Sequence, residues 1–167
     1  MPEMVSEQRE IKGELFRLTQ NDATAKSDSD CENYAIRYSY APIWTYQVPV
    51  DQEFIVKPEH RLGIYIEDDE GTSAEWGNAQ KVRVVAWDAD KKRMQILYEG
   101  FYMESKDLQD LDKMANFDIK EDVLLKSGDW IYVEGMCDNG TTALYTIDVS
   151  DSYFSIELLR VRPGLFK

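Results

Sequence analysis

A chain of 167 residues is long enough to fold as one domain and to hide about two-thirds of its unfolded surface, so neither a disulfide framework nor a structural metal is required of it. Hydrophobic residues make up 43% and aromatics 12%, with ten Tyr and four Trp, which is ample material for a core and for strands. With 32 acidic against 19 basic side chains, a formal charge of −13, the surface field repels phosphate backbones and anionic membranes; it fits a soluble surface, a partner with basic patches, or an acidic mimic of nucleic acid.

The chain opens on MPEMVSEQREIKGE, which has no apolar core behind a basic start, and no run approaches the roughly 18 apolar residues of a membrane span. Synthesis and residence in the cytosol, or in an assembly built there such as a virion, is the expectation. Residues 1–33 read as an N-terminal arm and flexible linker ahead of a β domain over 34–167. Ile11, Leu15, Phe16 and Leu18 are apolar, whereas the NDATAKSDSDCEN that follows them is polar, small and acidic. A frayed terminus is the plain alternative. The functional expectation is that Glu10 to Thr19 docks on a neighbouring subunit, through backbone hydrogen bonds and alternate side chains. Cys31 and Cys137 make no framework and are expected as free thiols.

From Asn33 onward short alternating runs begin. Ile36, Tyr38 and Tyr40 share one face of YAIRYSY; Leu62, Ile64 and Ile66 share one face of LGIYIED. The pattern returns with Val82, Val84 and Ala86, with Met94, Ile96 and Tyr98, with Ile131 and Val133, and with Phe154, Ile156 and Leu158. Period 2 means strands with one side buried. Adding IWTYQV, EFIVK, DVLLK and ALYTI gives roughly nine or ten strands. Asp88 to Lys92, Ser127-Gly128-Asp129 and Asp138-Asn139-Gly140 are the expected hairpin turns. One short helix is expected from about Ser105 to Asn116, with Leu108, Leu111 and Met114 or Ala115 on one face. The fold class is therefore mainly β, an antiparallel β-sandwich or jelly roll.

Chemistry finds little support. His60, in the polar turn KPEHR, is expected as a solvated loop histidine, and neither a GxSxG sequence nor a nucleotide-binding glycine loop is present. No catalytic residue, metal ligand set or cofactor site is assigned. The acidic run Glu67 to Glu70 and the cluster Asp107, Asp110 and Asp112 are read as solvated surface, with cation binding as the alternative. Asn139-Gly140-Thr141 reads as a turn. Trp44 and Tyr46 alternate in one strand, Tyr38 and Tyr40 in another, and Trp76 and Trp87 lie at or near strand ends. Most aromatics are expected in the core or in cross-strand pairs, and an exposed remainder is suited to a protein or a sugar. Trp44 and Tyr46 join the arm residues as candidate partner-binding positions.

An arm before a β domain, the succession VPVDQEFIVKPEHRLGIYIEDDEGT, the closing SYFSIELLRVRP and the acidic balance together resemble the small jelly-roll or β-sandwich accessory proteins that decorate virus and phage capsids. The resemblance runs from about Trp44 to the end and is one of style. It implies a non-enzymatic structural or interaction subunit, oligomeric or part of a larger assembly, with a protein partner or self-assembly and no nucleic acid or membrane. A carbohydrate-binding module and an acidic mimic that occupies a basic nucleic-acid-binding partner are the competing classes.

Overall fold

The alternating runs become strands of two antiparallel sheets in a computed structural model that describes residues 13–25, 40–66, 80–100, 114–137 and 149–164. The first sheet holds β1 (Gly13–Thr19), β4 (Glu53–Val56), β5 (Arg61–Tyr65), β8 (Ala115–Asn116), β9 (Val123–Leu125) and β11 (Tyr153–Val161). The second runs β2 (Thr24–Ala25), β3 (Ala41–Gln47), β10 (Trp130–Cys137), β6 (Gln80–Trp87), β7 (Met94–Gly100). β11 organises the first sheet: Tyr153 to Ile156 pair with β5, and Leu159 to Val161 pair with β4. Since β5 and β4 share one side of β11, β1 occupies the other, from Thr19 opposite Ser155 to Gly13 opposite Val161.

The faces follow the sequence pattern wherever the ladders are regular. Leu62 and Ile64, Val82 and Val84, Ile131 and Val133, and Phe154, Ile156 and Leu158 all enter one core between the sheets. Trp44 of the second sheet stands against Phe154 of the first, ring centroids 5.0 Å apart, which ties the two layers at their bulkiest residues. Turn chemistry is equally direct. At the β6–β7 hairpin the Asp88 carboxylate accepts from Lys92 N at 2.7 Å and Arg93 N at 3.3 Å, and Lys91 takes the left-handed conformation at φ 57°.

Four expectations meet a different structure. Gly13–Thr19 pairs along its whole length with β11 of its own chain, and Gln20 continues the contact by accepting from Phe154 N at 3.2 Å. Residues 13–25 thus belong to the sandwich, and a Cβ at Gly13 would collide with the Arg160 carbonyl and the Leu159 side chain. Met94, Ile96 and Tyr98 do not share a face. The register slips between Val84 and Val85, leaving Leu97 as an extra residue, so Tyr98 is buried while Met94 and Ile96 lie exposed. Ser127-Gly128-Asp129 is a tight turn with Gly128 at φ 91°, but it carries the chain from one sheet to the other rather than closing a hairpin. Of the expected helix, Ala115 and Asn116 are strand residues paired with Leu62 and Arg61, and 105–113 lie outside the described residues. Among the described residues the only helical element is a 3₁₀ turn at Val149–Asp151, with no α-helix.

Candidate functional site

Five of the six candidate contact residues are described, and they lie at different depths. Leu18 and Trp44 are 0% and 1% exposed, so both are core residues and give a partner no surface. Phe16 stacks on Phe54 at 5.4 Å, and Tyr46 meets the same ring edge-on at 6.5 Å. Phe54 thereby joins an arm residue to a β3 residue, although 30 positions separate Phe16 from Tyr46 in sequence. Arg160 lies over both rings, 4.6 Å from Phe16 and 5.7 Å from Phe54, with Glu14 3.7 Å from its Nη1. Burial first, and then Asp22, push the Tyr46 hydroxyl up from its ordinary value, against the pull of Arg160. Leu15, on the opposite face of β1, is 60% exposed. Ile11 lies outside the described residues, as do Cys31, Glu67 to Glu70, the Asp107 cluster, Trp76, the 138–140 turn and the ALYTI run.

On the outer face of the second sheet the aromatics form a band. Tyr132 lies 6.3 Å from Trp87 and 6.2 Å from Trp130. Lys91 Nζ is seated 4.4 Å from the Trp130 ring centroid, on a face that a sugar ring would need. One register step along, Arg83 and Glu134 are directly opposite each other and form an ion pair, Nε to Oε1 2.5 Å, with Glu134 buried. Tyr40 covers the guanidinium at 4.2 Å. Sequence reasoning missed this pair, because outward charges on two strands 51 positions apart look like ordinary solvated residues.

His60 is a correction. It is 9% exposed rather than solvated, and its Nδ1 accepts from Lys57 N at 3.1 Å while its own N–H donates to Lys57 O at 3.0 Å, closing the turn between β4 and β5. Burial lowers the imidazole pKa, against the pull of Glu157 and Glu59. The unfolded chain then takes up a proton more readily than the folded one. Stability should fall as pH drops through the ordinary value of 6.5, level off below the lowered folded value, and be untouched by His60 above 6.5. Urea unfolding of the wild type and of His60→Asn across this window checks it: the wild type should lose stability relative to the variant in acid, and parallel curves would contradict it.

No three His, Cys, Asp or Glu side chains converge as a metal site among the described residues. An open groove of about 600 Å³ lies between β7 and the 118–124 segment, lined by Gln95, Ile96, Ile119 and Val123 together with Asp118, Lys120, Glu121 and Asp122. Among the described residues it brings together carboxylates and the Lys120 amine, with no histidine in its lining.

With this geometry in view, the chain can be set beside known proteins. It matches no family model and no curated protein by sequence. In fold it is similar to two solved structures. A chain of the VP16-VP17 complex, a complex of the two major capsid proteins of bacteriophage P23-77, superposes with a TM-score of 0.62 at 10% identity, covering 90% of this chain and 99% of that one. VP17, a capsid protein of the same phage, gives 0.58 at 9% identity, with 92% and 97% covered. At such identity the likeness is one of architecture, and it covers about nine-tenths of this chain and nearly all of each of the others.

Proposed function

We propose that this chain is a structural subunit of a virion shell, which makes its working location the virion and its partners other shell proteins, copies of itself included. The observation that carries the proposal is the fold likeness, over about nine-tenths of this chain, to proteins of a phage capsid. Two features of the chain agree with it. Both sheets have edge strands that display apolar side chains, Leu15 on β1 and Met94 and Ile96 on β7, as a subunit with neighbours requires. The acidic charge keeps free subunits apart before assembly.

The likeness is to shell-building proteins, so we favour a shell component over a decoration bound to a finished surface. In this reading the arm retains a role: β1 displays Leu15 on an open edge where a neighbour can add, and Phe16 and Tyr46 support it from within. Light scattering on the purified chain, alone and co-expressed with shell proteins from the same source, tests the proposal. Large symmetric particles containing the chain are expected. A chain that stays monomeric under every condition, and binds none of those proteins, would count against it.

A further inference from the structure

Among the described residues β7 is the outermost strand of its sheet, and the ladder shows which of its backbone groups have no partner there. Asp88 N donates to Arg93 O at 3.2 Å, so this is a bonded pair; alternation then makes Trp87/Met94 a non-bonded pair and Ala86/Gln95 a bonded one. Met94 and Ile96 therefore turn their N–H and C=O groups away from β6, toward the open edge. Past Leu97 the same edge is closed by Asp118, whose N donates to Leu97 O at 2.9 Å and whose Oδ2 accepts from Glu99 N at 2.9 Å. What remains open is a short stretch whose two outward side chains, Met94 and Ile96, are 41% and 39% exposed.

Natural sheets usually blunt such an edge with a charge or a proline within it. Here the charges flank it instead, and they have opposite signs at the two ends. Lys91, Lys92 and Arg93 precede the open stretch, with Asp88 and Asp90 in the same turn; Glu99 and Asp118 follow it, with Lys120, Glu121 and Asp122 along the adjoining groove, so the first end is net basic and the second net acidic. This polarity selects the occupant. A parallel copy would set like charges side by side, whereas an antiparallel copy sets the basic start of one strand against the acidic end of the other.

We propose that β7 pairs antiparallel with β7 of a second copy of this chain, across a two-fold axis at Gln95. The register follows from which groups are free. Met94 exchanges both backbone hydrogen bonds with Ile96 of the partner subunit, Ile96 does the same with Met94 of the partner subunit, and the two Gln95 residues face each other as a non-bonded pair. Arg93 then lies opposite Leu97 of the partner subunit, beside Asp118 of the partner subunit. The contact is isologous and joins two sheets into one. It is weak alone and effective where an assembly repeats it. The proposal takes the shell reading as its frame but does not need it, because self-pairing is read on the isolated chain.

The test is a register-specific crosslink in the full chain with Cys31→Ser and Cys137→Ser. In a non-bonded antiparallel pair the Cα atoms are about 4.5 Å apart, within disulfide range, so Gln95→Cys should give covalent dimers under mild oxidation. Met94→Cys places its symmetry mates roughly 8 Å apart, out of range, and should crosslink at least tenfold more slowly. Independently, Ile96→Glu on an intact fold should weaken dimerisation at least tenfold in sedimentation equilibrium. Equal crosslinking at both positions, a dimer indifferent to Ile96→Glu, or no dimer at any concentration would each overturn the β7 pairing. Those results leave the shell reading standing if the chain still enters particles, and remove both if it does not.

Discussion

Replacing Arg83 with methionine should destabilise the protein by about 3–5 kcal/mol, because it strands a buried carboxylate. Glu134 is held between two strands on the outer face of its sheet, with the Arg83 Nε 2.5 Å away and Tyr40 over the guanidinium. Methionine keeps most of the arginine stem, so the loss is electrostatic rather than a cavity. Glu134 is then left buried without its partner, which costs stability. The companion variant isolates the cause: Arg83→Met with Glu134→Leu removes both charges, and its stability should return to within roughly 1 kcal/mol of the wild type, since a buried pair replaced by apolar groups is often neutral. Urea unfolding of the three proteins decides the matter. A single variant as stable as the wild type would mean that water already reaches Glu134.

Removing residues 1–20 should be at least as damaging. Leu18 is fully buried opposite Ile156, Phe16 stacks on Phe54, and β1 covers one whole side of β11. Leu18→Ala alone should cost about 2–5 kcal/mol, a large share of the roughly 5–15 kcal/mol that holds a typical domain together. Truncation adds the loss of the Phe16 stack and leaves Ile156 and Leu158 uncovered. An arm merely docked on a neighbour predicts the reverse, an isolated domain whose thermal midpoint moves by a few degrees at most. Thermal unfolding of the truncated and Leu18→Ala chains separates the two accounts.

What could be read from the residues, and what could not, divides along the line between local and distant contacts. Alternation at Leu62, Ile64 and Ile66, or at Phe154, Ile156 and Leu158, reports a strand with one face in the core directly, although in β5 Gly63 and Tyr65 on the other face are buried too, and the mainly β sandwich follows from it. The Asp88 hairpin was legible because one carboxylate organises the turn from within six residues. β1 was not, because its partner lies some 140 positions away at the far end of the chain, and because the apolar run Leu15-Phe16 blurs the alternation. The bulge at Leu97 inverts the exposure of Met94 and Ile96 without leaving any mark in the pattern. His60 looked solvated because KPEHR is polar, yet its turn folds the ring inward to satisfy Lys57 N. The candidate contact residues lie at different depths, which the alternation alone did not show: Leu15 is on the surface, Phe16 and Tyr46 share a buried ring, and Trp44 and Leu18 belong to the core.

The shell reading and the β7 pairing make compatible demands on the surface. β1 and β7 are edge strands of different sheets, so one can serve a neighbour while the other serves a two-fold mate. The aromatic band of Trp87, Trp130 and Tyr132 adjoins Met94, which is opposite Trp87 in the ladder. Apolar area is thus continuous from the open edge onto the outer face, where contact between subunits would bury it.

The central claim is that the chain is a building unit of a virion shell, and the most direct measurement is its copy number in purified particles from its source. Quantitative mass spectrometry of density-banded particles, before and after mild protease treatment, should find the chain in fixed proportion to the other shell proteins, in many copies per particle, and largely protected from cleavage. Absence from the particles, or a small and variable amount that protease removes while the particles stay intact, would contradict it.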